Sequence, residues 1–381
     1  MNKNILWPSI RFKEFTNAWE QEKLGDICKF KNGKAHEQYV QKNGKYIIIN
    51  SKFISSNKEI IKRSNICLTP LFKDEIVMVL SDIPNGKALA KTVIIEENNK
   101  FTLNQRIGSF KVSGIHNAKF INLILNRNKY FLSFDDKVNQ TNLSNSIILG
   151  CKVLVTSLHE ENNISKLFLH LNNLITLHQR KLKALENIKM TLLDKMFPDE
   201  KSNIPSIRFE EFTNAWEQEK LGEISQSYKS FIKINDIDKS GKYNLYGVNG
   251  YIGKTVFPPK FNDKSSILIV KDGSVGKKLI LPPNSNFTST IEGIYPNSNY
   301  LTEFLFHSIK VEKLLKFSIG STIKHLYFSE YGNMNIFVTN LKEQEKISKL
   351  LDSLNNLITL HQRKIKKIEN IKKTLLEKMF P

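Results

Sequence analysis

The sequence is short of the features that announce chemistry. It carries three cysteines in 381 residues, Cys28, Cys67 and Cys151. They are odd in number, widely spaced, and fit neither a disulfide framework nor a zinc site, so a reducing, cytoplasmic setting is expected. Long apolar runs are missing too: the longest (Tyr46–Ile49, Ile76–Leu80, Ile267–Val270) fall far below a membrane-spanning length. The opening MNKNILWPSI has no apolar core or small-residue cleavage site, so no signal peptide is expected. A P-loop is absent, because five residues separate Gly247 from Gly253, Lys254 and Thr255 where the motif needs four. The strings FPPKF and LPPNS lack the amide or acid before the prolines, and the aromatic after them, that an amino-methyltransferase loop uses. No Glu-X-Lys triplet follows Pro198–Asp199, as a common nuclease pattern would require. Neither a Ser/His/Asp set nor a metal-ligand cluster stands out. The expectation is a chain that performs no chemistry, with no cofactor or metal of its own.

Acidic residues are also scarce. Asp and Glu number 37 against 57 Lys and Arg, giving a net charge of +20 and a pI near 9.6. That balance points to a polyanionic partner, nucleic acid before membrane. The length suggests two or three domains, each able to bury a core.

What is present is repetition. Residues 164–198, ISKLFLHLNNLITLHQRKLKALENIKMTLLDKMFP, return as 347–381 with 27 of 35 positions identical. A shorter block, PSIRFKEFTNAWEQEKLGDI from Pro8, returns from Pro205 with two of 20 positions changed. The copies frame two stretches, 28–163 and 225–346, that do not align with each other. The frame is repeated and the filling is not. Trp19 and Trp216, at matching places in the short block, are candidates either for core anchors or for a face that docks a partner twice.

Each long repeat reads as a helix with an apolar seam. In heptads from Ile164, the seam is Ile164, Leu171, Leu174, His178, Leu185, Ile188 and Leu192, with Phe168, Ile175, Leu182 and Met196 widening it. In the second copy it is Ile347, Leu354, Leu357, His361, Ile368, Ile371 and Leu375. Neither helix buries its seam alone, so the two are expected to pair as an antiparallel coiled coil in pseudo-two-fold arrangement. The fold class is α+β (mixed α/β): two domains with twisted mixed β-sheets joined by the helices. The expected boundaries are 1–163 with repeated block 8–27, central helix 164–198, 199–346 with repeated block 205–224, and closing helix 347–381.

The unaligned stretches show short β-rich runs. In the first these are Tyr46–Ile49, Ile76–Leu80, Val93–Ile95, Ile147–Leu149 and Val153–Val155, with a helix near 118–131. In the second, Ile267–Val270, Leu279–Leu281 and Ile336–Val338 read as strands and 302–315 as a helix. Their loops mix cations, which suit phosphates, with amides and aromatics, which suit base edges. The first set of candidates is Lys31, Lys34, Asn50, Lys52, Lys87, Lys91, Asn104, Gln105, Arg106, Lys137, Asn139 and Gln140. The second is Tyr246, Asn249, Tyr251, Lys254, Lys271, Ser274, Lys277, Lys278, Ser321, Thr322, Lys324 and His325.

Two unlike domains held by near-identical helices, with the LNNLITLHQRK, KMFP and WEQEKLG repeats, resemble the specificity subunit of type I restriction–modification systems. FTLNQRI (101–107), YGVNGYIG (246–253), KDGSVGK (271–277) and LKEQEKISKLL (341–351) fit the same resemblance. At the start of the first helix the usual Glu-Gln pair is replaced by Glu160–Glu161. The resemblance implies two target-recognition domains that read a bipartite, asymmetric site on double-stranded DNA. It also implies helices that space the half-sites. Two methyltransferase subunits would carry S-adenosylmethionine and methylate adenine, and restriction subunits would use ATP and Mg. The alternative is a basic coiled-coil scaffold that assembles partners without reading DNA.

Overall fold

A computed structural model describes residues 7–199, 202–261, 263–321 and 323–380. The chain forms two compact units. One runs up to Leu177 and resumes at Lys364, and the other is His178–Arg363. Each unit therefore holds one β-rich domain, the start of one long helix and the end of the other.

The two stretches that share no alignable sequence share one topology. In the first unit a four-stranded antiparallel sheet runs in the order Cys28–Asn32, Ile107–Val112, Ile76–Val79, Thr92–Ile94. Its counterpart in the second is Ser225–Lys229, Ile291–Pro296, Ser266–Val270, Lys278–Leu281. Beside it lies a mixed three-stranded sheet. Tyr46–Ile49 pairs antiparallel with Lys62–Ser64 and parallel with Phe101–Leu103. Tyr243–Gly247 pairs the same two ways with Gly250–Thr255 and Ser285–Phe287. Val77 and Val79 face one core and Met78 the other, as strand alternation requires.

The repeated block acts as one piece with the helix start. Its Glu20–Lys23 segment is a strand paired with Lys152–Val155, and Glu217–Lys220 pairs likewise with Asn335–Val338. One helical turn follows in each, Leu24–Ile27 and Leu221–Ile224. Trp19 and Trp216 are buried in equivalent aromatic clusters, Trp19 against Phe120 and Phe380, Trp216 against Phe304 and Phe197. Both indoles are core, so neither offers a docking face.

The long helices are Leu158–Lys195 and Leu341–Met379, each starting six residues before the repeat. At ~1.5 Å per residue each spans about 57 Å. Ser157 Oγ accepts from Glu160 N and Asn340 Oδ1 from Glu343 N, which caps the extra turn. Arg11 grips the fully buried Glu160 with two bonds of 2.7 Å, and Arg208 holds Glu343 in the same way. Glu161, where the second copy has Gln344, accepts from His116 Nδ1 at 2.9 Å and Asn117 N at 2.7 Å. Burial pushes its carboxyl up against those bonds. Gln344 instead accepts from Leu301 N and donates to the carbonyls of Thr339 and Asn299.

Within each unit the helix segments run antiparallel. Ile164 and Phe168 share a core with Met379 and Phe380, and Ile347 and Leu351 share one with Met196 and Phe197. The least exposed row is 164, 168, 171, 175, 178, 182, 185, 189, 192 and 196, with the same row 183 residues later. The heptad reading placed its second row one position early. Ile188, Leu357 and Ile371 are exposed, and Leu174 is only half-buried. Strict 4–3 spacing from Ile164 explains this, because it brings Phe168, Ile175 and Leu182 to the seam and turns Lys181 and Lys195 outward. Lys189 and Lys372 occupy seam positions, and burial pulls the Lys372 ammonium down against the pull of Glu369. His178 and His361, at the same position of the repeat, meet Nδ1 to Nδ1 at 2.9 Å. One ring donates and the other accepts.

Three further readings change, the first being the helix expected over 302–315, which is two, Thr302–Ser308 and Val311–Leu314. Ile147–Leu149 belongs to the helical turn Asn145–Leu149, because Ser144 Oγ accepts from Ile147 N and caps it. The helix near 118–131 is two, Ala118–Leu125 and Lys129–Leu132, each begun by an asparagine cap, Asn117 and Asn128.

Removing one partner of a buried ion pair strands the other charge, at a cost of about 3–5 kcal/mol. Arg11→Met is expected to lower first-unit stability by that amount in urea unfolding, and Arg11→Met with Glu160→Leu to recover most of it. A single variant within about 1 kcal/mol of wild type would place the pair with weak surface bridges.

Candidate nucleic-acid interface

In the first unit, three loops are tied together. Arg106 O accepts from Leu80 N, Gln140 Nε2 donates to Ser81 Oγ at 2.7 Å, and Asn85 Nδ2 donates to Lys137 O. The short pairing of Ser81–Asp82 with Thr141–Asn142 closes the group. Asp82 organises loop 80–91 by accepting from Ile83, Ala88 and Leu89 N. Asp136 organises loop 133–140, and bonds from the Asn139 main chain and side chain and from Val138 N hold its carboxyl low. Lys34 joins them through its main-chain bridge to Asn104. Lys34, Lys87, Gln105, Arg106, Lys137 and Asn139 are exposed around these loops. Asn85, Arg106 and Lys137 sit at positive φ (56°, 65° and 63°), a strained choice for residues with side chains.

The second unit repeats the arrangement with different residues. Asp272 and His325 form a bridge and a 2.7 Å side-chain bond at the place of the first unit's short pairing, and His325 stacks on Tyr327. Lys271 N donates to Thr290 O, and Lys277 Nζ donates to Asn249 Oδ1 at 2.7 Å, which draws in the hairpin that carries Tyr246 and Tyr251. Ser274, Lys277, Ser321, Lys324, Tyr251 and Lys254 are exposed, and Tyr246 and Lys271 are half-buried. Gly320, at φ 100°, could not take a side chain: a Cβ would lie 2.1 Å from Ile323 O. Thr322 lies outside the described residues.

Several candidates have structural work instead. Asn50 Oδ1 caps the turn Ser51–Ser55. Asn104 is buried, accepting from His36 N and donating to Glu37. Lys31 is bonded to Pro70 O and paired with Glu75, while Lys91 reaches Ser55 O and Lys52 is exposed beside that same turn. Lys278 Nζ donates to the carbonyls of Phe306 and Ile309 at the end of helix Thr302–Ser308 and lies over the Phe306 ring. Burial draws its ammonium down to about 8. These residues were singled out by type, and type does not distinguish a cap from a contact.

Sequence reasoning missed the exposed apolar tips. Phe231 is 89% exposed between Lys229 and Lys233, and its neighbour Ile232 is bridged to Thr288 in the same loop group. In the first unit Ile83 and Val138, on two of the tied loops, are 68% and 77% exposed. An apolar residue amid loop lysines is their only sequence signal.

Among the described residues no group of three or more His, Cys, Asp or Glu is placed to hold a metal ion, and no helix is long and apolar enough to cross a membrane. Burial pushes the Cys28 thiol up to about 12 and the Cys151 thiol up to about 11.

Two sheets of fixed topology, a group of converging loops and a long helix, each occurring twice, define a duplicated α+β protein. The family model described as the type I restriction modification DNA specificity domain matches twice, over residues 17–187 and 213–370, and the chain belongs to that family. It is 24% identical over 400 residues to the putative type I restriction enzyme MjaX specificity subunit of Methanocaldococcus jannaschii, covering 95% of this chain and 93% of that one. It is 22% identical to the MjaVIII specificity subunit of the same organism, covering 94% and 91%. The fold is similar to the crystal structure of the type I S subunit from M. genitalium, with a TM-score of 0.72 at 16% identity over 99% of both chains.

His307, 7% exposed with no partner on Nε2, is driven down to about 4 by burial and then by the charges of Lys278 and Lys189. Its folded pKa lies below the unfolded value near 6.5, so the unfolded chain binds more protons between the two. Stability is therefore lost as pH falls through that window, by on the order of 3 kcal/mol. Urea unfolding of His307→Phe beside wild type, from pH 7 to pH 4, is expected to show a shallower loss in the variant. Parallel curves would mean that His307 does not titrate this way.

Proposed function

We propose that this chain is the DNA-reading subunit of a type I restriction–modification complex, with each unit reading one half of a bipartite, asymmetric site. One observation carries the reading: the same three loops converge in both units on the same sheet topology but carry different side chains. A frame that repeats while its reading residues do not suits two unlike half-sites. Arg106, Lys87 and Lys137 supply phosphate and base contacts in the first half. Lys277, Lys324, Asn249 and Tyr251 do so in the second, with Phe231 available for a thymine methyl. The long helices act as the spacer, on the scale of one DNA turn or more.

The repeated frame also suits two identical methyltransferase subunits, which would bring S-adenosylmethionine and methylate adenine. Exposed leucine and isoleucine pairs at matching helix positions, Leu177 with Leu360 and Ile188 with Ile371, offer such partners equal contacts. Restriction subunits would add ATP- and Mg-dependent cleavage. The chain itself contributes recognition and assembly, in the cytoplasm where the DNA is.

The test is methylome mapping in a methylation-free host, with the cognate methyltransferase expressed with and without this chain. A split adenine motif that appears only with the chain is expected. An active, correctly paired methyltransferase whose motif ignores the chain would favour the scaffold. Replacing 225–346 with a relative's second domain is expected to change one half-site only, and both original halves persisting would sink the modular reading. Arg106→Ala is expected to relax one position of the first half-site by about 1–3 kcal/mol of discrimination.

A further inference from the structure

Each unit contains a cleft at the same place, between the repeated block and the start of its long helix. The first encloses about 450 Å³ and the second about 390 Å³. Matching residues line both, among them Asn17 and Asn214, Glu20 and Glu217, and Leu158 and Leu341. We infer that these clefts are paired sockets, each taking a basic segment with an apolar anchor from one methyltransferase subunit. The inference rests on the proposed function and locates the docking face within it.

Packing accounts for identity only at the buried positions of the block, such as Trp19 and Trp216, Leu24 and Leu221, Ile27 and Ile224. Thr16, Asn17, Ala18, Glu20 and Gln21 are exposed, as are their copies from Thr213 to Gln218, and they too are identical. The identity stops where the block stops, since 28–163 and 225–346 do not align. An exposed surface kept the same on two halves, beside surfaces that differ, fits a partner that is the same on both.

The chemistry of the occupant follows from charge. The chain carries +20, yet Glu14, Glu20 and Glu22 edge the first cleft. Glu217 lines the second, and with Glu219 it adds to the burial that pushes Tyr300 at its wall upward. DNA phosphates are repelled from such an edge, whereas Lys or Arg side chains are drawn to it. Leu158 and Leu341, 41% and 40% exposed, give each cleft an apolar contact. The Arg11–Glu160 and Arg208–Glu343 clamps hold the helix starts that form one wall.

The test uses the full chain co-expressed with its cognate methyltransferase, with native mass spectrometry counting partners per chain. Glu20→Arg and Glu217→Arg are made singly and together, with Glu20→Gln and Glu217→Gln as size-matched controls and thermal melts to check folding. Each single reversal is expected to leave one partner bound, and the double reversal to weaken assembly on the order of tenfold or more, with the Gln controls intermediate. A folded double reversal that still binds two partners at wild-type affinity would overturn the sockets and leave the DNA-reading proposal standing. Loss of both partners from a single reversal would overturn the one-cleft, one-partner assignment. A wild-type chain that recruits no methyltransferase would overturn the sockets together with the docking reading beneath them.

Discussion

A carboxylate with no exposure sits near the start of each long helix, and much of the architecture follows from neutralising it. An isolated buried carboxylate is costly, and attraction offsets that cost only when geometry is good and the oxygens are satisfied. Arg11 and Arg208 meet the requirement with two-point grips, and Thr156 and Thr339 donate a further hydroxyl each. The guanidinium comes from the repeated block and the threonine from the segment joining the last strand to the helix. Block, strand and helix start are thereby one module. A chain that needs the helix twice also needs the block twice, roughly 150 residues ahead of its glutamate in the first unit and 135 in the second.

The helix pair carries a second constraint, because two copies of nearly one sequence must pair in one register. Leucine and isoleucine alone tolerate slippage by a heptad. The His178–His361 bond does not, since a shift would leave a half-buried imidazole opposite an aliphatic side chain and without its partner. Lys189 and Lys372 act in the same sense. Each interrupts the apolar row at a place where its stem packs and its ammonium must find the edge, and burial draws the Lys372 ammonium down against the pull of Glu369. Polar seam residues that weaken the pairing also define it.

Periodicity made the helices legible in the sequence, and short β-branched runs made Tyr46–Ile49, Ile76–Val79 and Ser266–Val270 legible as strands. The row opposite His178 was misjudged because leucines at Leu174 and Leu357 invite a 3–4 count, while the structure follows 4–3. The common topology of the two domains was invisible. Sheet pairing uses main-chain groups, so FTLNQRI and SNFTSTI form the same strand and turn with few shared side chains. The binding candidates were half legible. Asn50 and Asn104 look like base readers by residue type, and only three-dimensional placement reveals that a main-chain amide already occupies each side-chain oxygen.

That separation of main chain from side chain explains how one scaffold presents two unlike faces. The loops of both units require left-handed backbone at several points. The second unit meets the requirement with Gly273, Gly276 and Gly320. In the corresponding loops the first uses Asn85 and Lys137, and it adds Arg106, whose counterpart Thr290 is not left-handed, at a cost on the order of 1 kcal/mol for each strained residue. The strain is held by bonds around it: Arg106 O accepts from Leu80 N, and Lys137 N is tied to Asp135. Glycine would relieve the strain and remove the side chain that points outward from the loop. Arg106 and Lys137 therefore present an exposed cation where glycine would present none, and the two units come to differ in side chain on a common main-chain path.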